Sequence, residues 1–312
     1  MNGVEARGGV EPSRYVLLLS AVFSDRLQGS EVDRTSEAIA NLSRIAWARP
    51  VIARLNKAGG IRPENMPLMF EVRFADELHS TGAIAHYEFP AGVGQSTVEF
   101  RIDTSPPWLV ELVSIRLSMA ARRATREIAP LFEEQLFRWT SEDPGRSEEG
   151  EMITAEQKIA EKVFSGGRPT KFPPQDGALR LILADMRGYL DRGGDIADYR
   201  EMAYGYRGLQ ESPDWRFLTH HWQNADGKFE PIKGLFEEGN PIAAVGLIRE
   251  RIHFLGFIRE ERFYRGEIRD RALLLANPDL FTTQDKAIAA YATFPLARLG
   301  KLDPRKSVKF ER

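Results

Sequence analysis

The sequence predicts an α/β fold in which a single mixed β-sheet is covered by helices. Apolar runs typical of strands alternate with segments of helical periodicity. Three of those runs follow one another closely enough to form a meander. The chain has 312 residues, of which 42% are hydrophobic and 28% charged, so it can enclose a large core. We predict a disordered leader over residues 1–13 and one domain over residues 14–312.

Two helical segments precede the predicted meander. Apolar residues recur at helical spacing between residues 36 and 58, and Pro50 interrupts the pattern before the Gly59-Gly60 pair ends it. A second helix is predicted over residues 67–80 and ends at Gly82.

The remaining elements complete the sheet and its helical cover. The first three strands are predicted as a meander, with "PAGVGQ" as the first turn and Ser105-Pro106-Pro107 as the second. Residues 187–240 are predicted to be irregular and partly helical. The predicted elements from the meander onward are strands 83–89, 96–103 and 108–115, a helix from 116 to 139, an acidic linker 141–151, a helix 153–164, strands 178–186, 252–258 and 272–278, and a helix 283–292.

Composition excludes several classes of protein. The chain has no cysteine, which excludes a disulfide framework and thiolate chemistry. Its net charge of −2 differs from the basic balance of proteins that coat nucleic acid. The apolar run Tyr15–Phe23 is shorter than the roughly 20 residues that a membrane helix needs. We therefore predict a cytoplasmic protein that makes no use of a membrane.

One carboxylate stands in the middle of a strand that is apolar on both faces. Glu111 interrupts the run "WLVELVSI", which is otherwise typical of a central strand covered from both sides. The two apolar faces of this strand consist of Leu109, Val113 and Ile115, and of Trp108, Val110 and Leu112.

Further carboxylates are predicted to point inward. Glu71 falls within the apolar arc of the helix 67–80, where an amphipathic helix normally carries no charge. Glu99 lies on the strand before Glu111, and the short turn between them places the two strands side by side. Glu156 falls within the apolar arc of the helix 153–164, and Gln157 lies at its edge.

Buried carboxylates must be paired, protonated or bound to a metal. Several that converge repel one another, and a divalent cation relieves that repulsion. Oxygen ligands alone favour Mg²⁺ or Mn²⁺. The alternative is a set of separate salt bridges, with Arg101 serving Glu99 and Arg73 serving Glu71.

Over about residues 67–186 the sequence resembles the PD-(D/E)XK nuclease superfamily. The resemblance rests on these carboxylates and on the order of the elements, which is helix, three-stranded meander, helix and strand. The resemblance implies a restriction-endonuclease-like core and a Mg²⁺ site. It matches Glu71 in "MFEVRF" to a carboxylate on the first helix. It matches Glu99 in "STVEF" to the second-strand Asp and Glu111 in "LVELVS" to the Glu of Glu-x-Lys, and these two would bind the metal. It places Gln157 in "AEQKIAEK" at a polar position of the following helix.

The sequence departs from that family pattern at the lysine of the third strand, where it has Val113. Lys162 borders the apolar arc of the next helix and is the candidate to supply the missing amine, whereas Lys158 points away. The resemblance implies a Mg²⁺- or Mn²⁺-dependent phosphodiester hydrolase that acts on DNA or RNA. The alternative is a catalytically inactive module that keeps the nuclease fold and binds a protein or nucleic-acid partner.

Overall fold

The computed structural model describes residues 29–90, 94–116, 148–174, 176–189, 193–210, 215–223, 227–259 and 267–297. The predicted leader, the run Tyr15–Phe23 and, beyond Arg116, the helix predicted for 116–139 lie outside the described residues. So does the predicted acidic linker up to residue 147.

The elements follow the predicted order closely. Within the described residues, the α-helices are α1 (Gly29–Leu42), α2 (Arg49–Lys57), α3 (Met66–Ser80), α4 (Glu148–Glu161), α5 (Ile196–Tyr204), α6 (Trp215–Leu218), α7 (Val245–Arg251), α8 (Ile268–Arg271) and α9 (Gln284–Tyr291). The strands of the same residues are β1 (Ala85–Phe89), β2 (Val98–Ile102), β3 (Trp108–Arg116), β4 (Phe164–Ser165), β5 (Arg168–Pro169), β6 (Leu179–Gly188), β7 (His221–Gln223), β8 (Phe229–Pro231), β9 (Phe254–Ile258) and β10 (Ala272–Ala276).

A six-stranded mixed sheet has the order β1-β2-β3-β6-β9-β10. Strands β1, β2 and β3 pair antiparallel, β6 runs parallel to both β3 and β9, and β10 pairs antiparallel with β9. The predicted mixed sheet flanked by helices is therefore confirmed. Because β3 and β6 are parallel, the chain must cross from one end of the sheet to the other between them, and α4 lies on this connection.

Helices cover both faces of this sheet. One core contains apolar side chains of α1, α2, α3 and α9, and the other contains those of α4, α5 and α7. Strand β3 contributes Trp108, Val110 and Leu112 to the first core and Leu109, Val113 and Ile115 to the second. This confirms that β3 is a central strand with two apolar faces, as the sequence predicted.

Three details differ from the prediction. The helical pattern of residues 36–58 forms two helices, α1 and α2, and α1 starts earlier, at Gly29. Residues 148–151 of the predicted linker form the first turn of α4. The β4–β5 hairpin and the β7–β8 hairpin were not predicted, because each strand has only two or three residues.

Among the described helices, none combines the length and the apolar character that crossing a bilayer requires.

Candidate functional site

Glu99 and Glu111 meet where the β2–β3 ladder ends. Backbone pairing between the two strands begins with Ile102 opposite Trp108 and ends with Phe100 opposite Val110. At the next position the two glutamate side chains take the place of the backbone acceptors. Oε2 of Glu111 accepts a hydrogen bond from the Glu99 amide at 3.2 Å, and Oε2 of Glu99 accepts one from the amide of Leu112. The two carboxylates are thus fixed by each other's strands.

Both of these carboxylates are removed from water. Glu111 is fully buried and Glu99 is 8% exposed. A buried carboxylate requires hydrogen bonds and a counter-charge. The backbone amides satisfy Oε2 of each residue, which leaves both Oε1 atoms for a cation.

An ammonium group lies between the two Oε1 atoms. Nζ of Lys162 is 3.3 Å from Oε1 of Glu99 and 3.0 Å from Oε1 of Glu111. A second ammonium, Nζ of Lys171, is 3.1 Å from the same Oε1 of Glu111. Lys162 was predicted to approach the carboxylates, and it does so from the turn that follows α4. Lys171 was not predicted.

The β4–β5 hairpin explains why the two lysines lie together. Gly166 and Gly167 have positive φ and reverse the chain between the two short strands. The amide of Thr170 then donates to the Val163 carbonyl at 2.9 Å, and its hydroxyl donates to the Lys162 carbonyl at 3.2 Å. The glycine pair was interpreted from the sequence only as a helix end, but it is also the hairpin signal that places Lys171 opposite Lys162.

Glu71 approaches the same region from α3. Oε2 of Glu71 accepts a 2.5 Å hydrogen bond from the hydroxyl of Tyr87 on β1 and lies 3.5 Å from Nη1 of Arg54 on α2. The same Nη1 donates to the Tyr87 hydroxyl at 2.7 Å. Neither Arg54 nor Tyr87 was predicted from the sequence as part of the site.

The salt bridges considered from sequence as an alternative are not the ones that form. Arg73 lies 3.2 Å from Glu77, one turn further along α3, and Arg101 pairs with Asp103. The counter-charge of Glu99 is Lys162.

The pKa values show that the carboxylates share one electrostatic environment. Burial raises the pKa of Glu99 to about 8, and the charge of Glu111 adds to this rise while Lys162 opposes it. Burial also raises the pKa of Glu71, which responds to the charges of Lys162 and Glu111. Although burial works to lower the pKa of Lys162, the charges of Glu99 and Glu111 raise it overall. Glu71 therefore lies within electrostatic reach of the pair.

Other candidates from the sequence lie outside this cluster. Gln157 is exposed on α4. Lys158 turns away, as predicted, and donates to the Arg116 carbonyl at 3.0 Å. Glu156 is buried as predicted, but the charges that raise its pKa, after burial itself, are those of Glu201 and Glu237. It belongs to a different polar region.

A divalent cation at this cluster would find few ligand atoms. Among the described residues, no group of three or more His, Asp or Glu side chains is arranged to hold a metal ion. However, Oε1 of Glu99 and Oε1 of Glu111 already face one cation, the ammonium of Lys162. Mg²⁺ is commonly bound by one or two carboxylates, with water and substrate phosphate supplying the other ligands. A cation held by these two glutamates alone would depend on water and substrate for its remaining ligands.

Comparison of the chain with protein-family models, with curated proteins and with solved structures finds no match.

Proposed function

We propose that this protein is a divergent PD-(D/E)XK-type phosphodiester hydrolase that acts on nucleic acid and depends on Mg²⁺ or Mn²⁺. The observation that carries the proposal is the position of Lys162, whose ammonium lies between Oε1 of Glu99 and Oε1 of Glu111. The resemblance implies two carboxylates that hold the metal and an amine beside them, and three groups of these kinds are in contact here. The amine comes from the turn after α4 instead of from the third strand.

Each residue of the cluster has a role in this proposal. Oε1 of Glu99 and Oε1 of Glu111 would hold the cation, because the backbone amides already occupy their Oε2 atoms. When bound, the cation polarises the phosphate and lowers the pKa of a water molecule. Lys162, released from the carboxylates, would donate hydrogen bonds to the attacking water or to the phosphate.

Glu71 supports the site from the side of α3. Its Oε2 is held by Tyr87 and Arg54, so its orientation is fixed before any ligand arrives. Because the charges of Glu111 and Lys162 reach it, its own charge strengthens the attraction of the site for a cation.

A catalytically inactive module that binds a partner is the second candidate. The observation that favours it is that Glu111 has two ammonium partners. Nζ of Lys162 lies 3.0 Å from its Oε1, and Nζ of Lys171 lies 3.1 Å from the same atom. With two ammoniums in place, the carboxylates are compensated without a metal. In this alternative the lysines would be permanent counter-ions.

The experiment that separates the two candidates is a cleavage assay on plasmid DNA, single-stranded DNA and single-stranded RNA with Mg²⁺ or Mn²⁺. Glu111→Gln keeps an acceptor for the Glu99 amide and removes the charge. We expect the wild type to cleave at least one substrate and Glu111→Gln to be slower by more than about 100-fold. Glu37→Gln, at a glutamate on the exposed face of α1, is the matched control and should keep full activity.

A thermal measurement on the same proteins completes the test. Mn²⁺ should raise the melting temperature of the wild type and of Glu37→Gln, but not that of Glu111→Gln. Absence of both cleavage and a Mn²⁺-dependent shift in the wild type would favour the inactive module.

A further inference from the structure

We propose that Lys171 is a second phosphate-contacting lysine of this site. The inference rests on the proposed function and adds to it a residue from the segment that follows the β4–β5 hairpin. The substrate group it would contact is a non-bridging oxygen of the phosphodiester that is cleaved.

The contacts of Glu111 are the first observation. Its single Oε1 atom has two ammonium partners, Lys162 at 3.0 Å and Lys171 at 3.1 Å. Lys162 also contacts Glu99, so that lysine alone can link the two carboxylates. Lys171 is therefore a cation beyond the one that holds the pair together.

The segment that carries Lys171 is fastened on both sides. Before it, Thr170 bonds to the backbone of Lys162 and Val163. After it, Nη1 of Arg251 donates to the Phe172 carbonyl at 2.6 Å, and Nη2 of Arg180 donates to the Pro174 carbonyl at 2.8 Å.

This bracing differs from the surroundings of an ordinary surface lysine. Arg180 is fully buried, and a buried guanidinium that holds a backbone carbonyl restricts how the segment can move. The side chain of Lys171 is nevertheless 27% exposed, so a ligand from solvent can reach it. Its backbone is fixed, and its ammonium group remains accessible.

Charge balance gives Lys171 a role in the reaction. The ammoniums of Lys162 and Lys171 cancel the charges of Glu99 and Glu111 when all four groups are ionised. A divalent cation at the carboxylates would leave an excess of two positive charges. The transition state of phosphodiester hydrolysis carries one more negative charge than the substrate, and donors fixed in a water-poor site stabilise such charge effectively. Without Lys171 the net charge of the metal-bound cluster would fall from +2 to +1.

The step itself is simple in chemical terms. A water molecule releases one proton to solvent as its oxygen forms a bond to phosphorus, the ester bond to the leaving oxygen breaks, and that oxygen takes up a proton from solvent. Lys171 keeps its proton throughout and donates a hydrogen bond to a non-bridging oxygen. A cation that takes Oε1 of Glu111 would free the ammonium of Lys171 to donate that hydrogen bond.

The test compares Lys171→Met, Lys171→Arg and the control Lys158→Met in the full chain. Two quantities are measured: the affinity for Mn²⁺, from the melting temperature as a function of Mn²⁺ concentration, and the single-turnover rate on a labelled oligonucleotide at saturating Mn²⁺. We expect Lys171→Met to cleave about 100-fold more slowly. Its Mn²⁺ affinity should be equal to or higher than that of the wild type, because a competitor for Glu111 has been removed. Lys171→Arg retains the charge and should recover most of the rate, and Lys158→Met should match the wild type.

The outcomes distinguish this inference from the proposed function. Cleavage by the wild type with an unchanged rate in Lys171→Met overturns the role of Lys171 and leaves the proposed function standing. A wild type that does not cleave removes the proposed function and the inference with it. If Lys171→Met does not fold, Lys171→Arg decides, since a rate more than about 100-fold below the wild type would overturn the inference.

Discussion

Replacing Lys162 by methionine tests the centre of the site. Methionine keeps an unbranched apolar stem and removes the ammonium that joins Glu99 and Glu111. If a divalent cation and this ammonium occupy the same place, the substitution must have opposite effects without metal and with it.

The cost without metal follows from the contacts that are lost. Removing one partner of a fully buried ion pair costs about 3–5 kcal/mol, and an exposed pair contributes about 0–1 kcal/mol. The side chain of Lys162 is 25% exposed, and Lys171 remains on Glu111. Glu99, with a pKa raised to about 8 by burial, can take up a proton at neutral pH. We therefore expect the free energy of unfolding in EDTA to fall by about 1–2 kcal/mol.

The gain with metal follows from competition. Mn²⁺ no longer has to displace an ammonium in Lys162→Met, so it should bind more tightly. Each tenfold increase in affinity adds about 1.4 kcal/mol of stabilisation at saturating metal. Urea denaturation in EDTA and in millimolar Mn²⁺ measures both effects, with Lys158→Met as the control on the same side of the fold. If Mn²⁺ stabilised Lys162→Met and the wild type equally, the cation and the ammonium would not share one position. The same conclusion would follow if Mn²⁺ stabilised neither protein.

Two further predictions concern the rest of the fold. Burial works to lower the pKa of His220. Hydrogen bonds to Glu148 and Glu201, together with the charge of Asp198, outweigh burial and raise this pKa to about 10. Since the folded pKa exceeds the unfolded value of about 6.5, this stabilisation is complete below pH 6.5 and is lost as pH rises towards 10, by at most about 1.4 kcal/mol per pH unit. In urea denaturation, the free energy of unfolding of Glu201→Gln should therefore decrease less between pH 6 and 10 than that of the wild type. An equal decrease in both proteins would contradict the role given to His220. Trp108 lies in the first core between the rings of Phe254 and Phe294, with centroids at 5.3 Å and 4.8 Å, and Trp108→Ala should cost about 3–5 kcal/mol in the same assay. A loss below about 1 kcal/mol would mean that this contact does not hold the core together.

The elements of the sheet were predictable because each rests on local pattern. The run "WLVELVSI" has two apolar faces, and a strand of that kind must be covered on both sides, which is where β3 lies. The helical wheel of α3 placed Glu71 inward, and Glu71 is buried. The direction of a side chain within a helix or strand depends on the residue repeat of that element, and the repeat can be recognised in the sequence.

The partners of these carboxylates were harder to predict, because they depend on how distant elements pack. Arg54 reaches Glu71 from α2, and Tyr87 reaches it from β1, although Arg73 is much nearer in sequence. The hairpin that returns Lys171 to Lys162 has only two residues in each strand, too few to produce an alternating pattern. Gln157 was placed at the edge of an apolar arc, where one position decides between burial and exposure, and it is exposed.

The choice of lysine as counter-ion supports an exchangeable site over a structural one. Glu71 is held by Arg54 and Tyr87 together, and a guanidinium braced by a hydroxyl is suited to a permanent pair. The counter-ions of Glu99 and Glu111 are instead point charges on flexible four-carbon stems, each about a quarter exposed to solvent. Buried ion pairs of this kind contribute little to stability compared with apolar residues of the same size, and here they also interrupt the β2–β3 ladder. A cationic ligand at Glu99 and Glu111 would have to displace these lysines, and this is why the Mn²⁺ response of Lys162→Met is the decisive measurement for the proposed function.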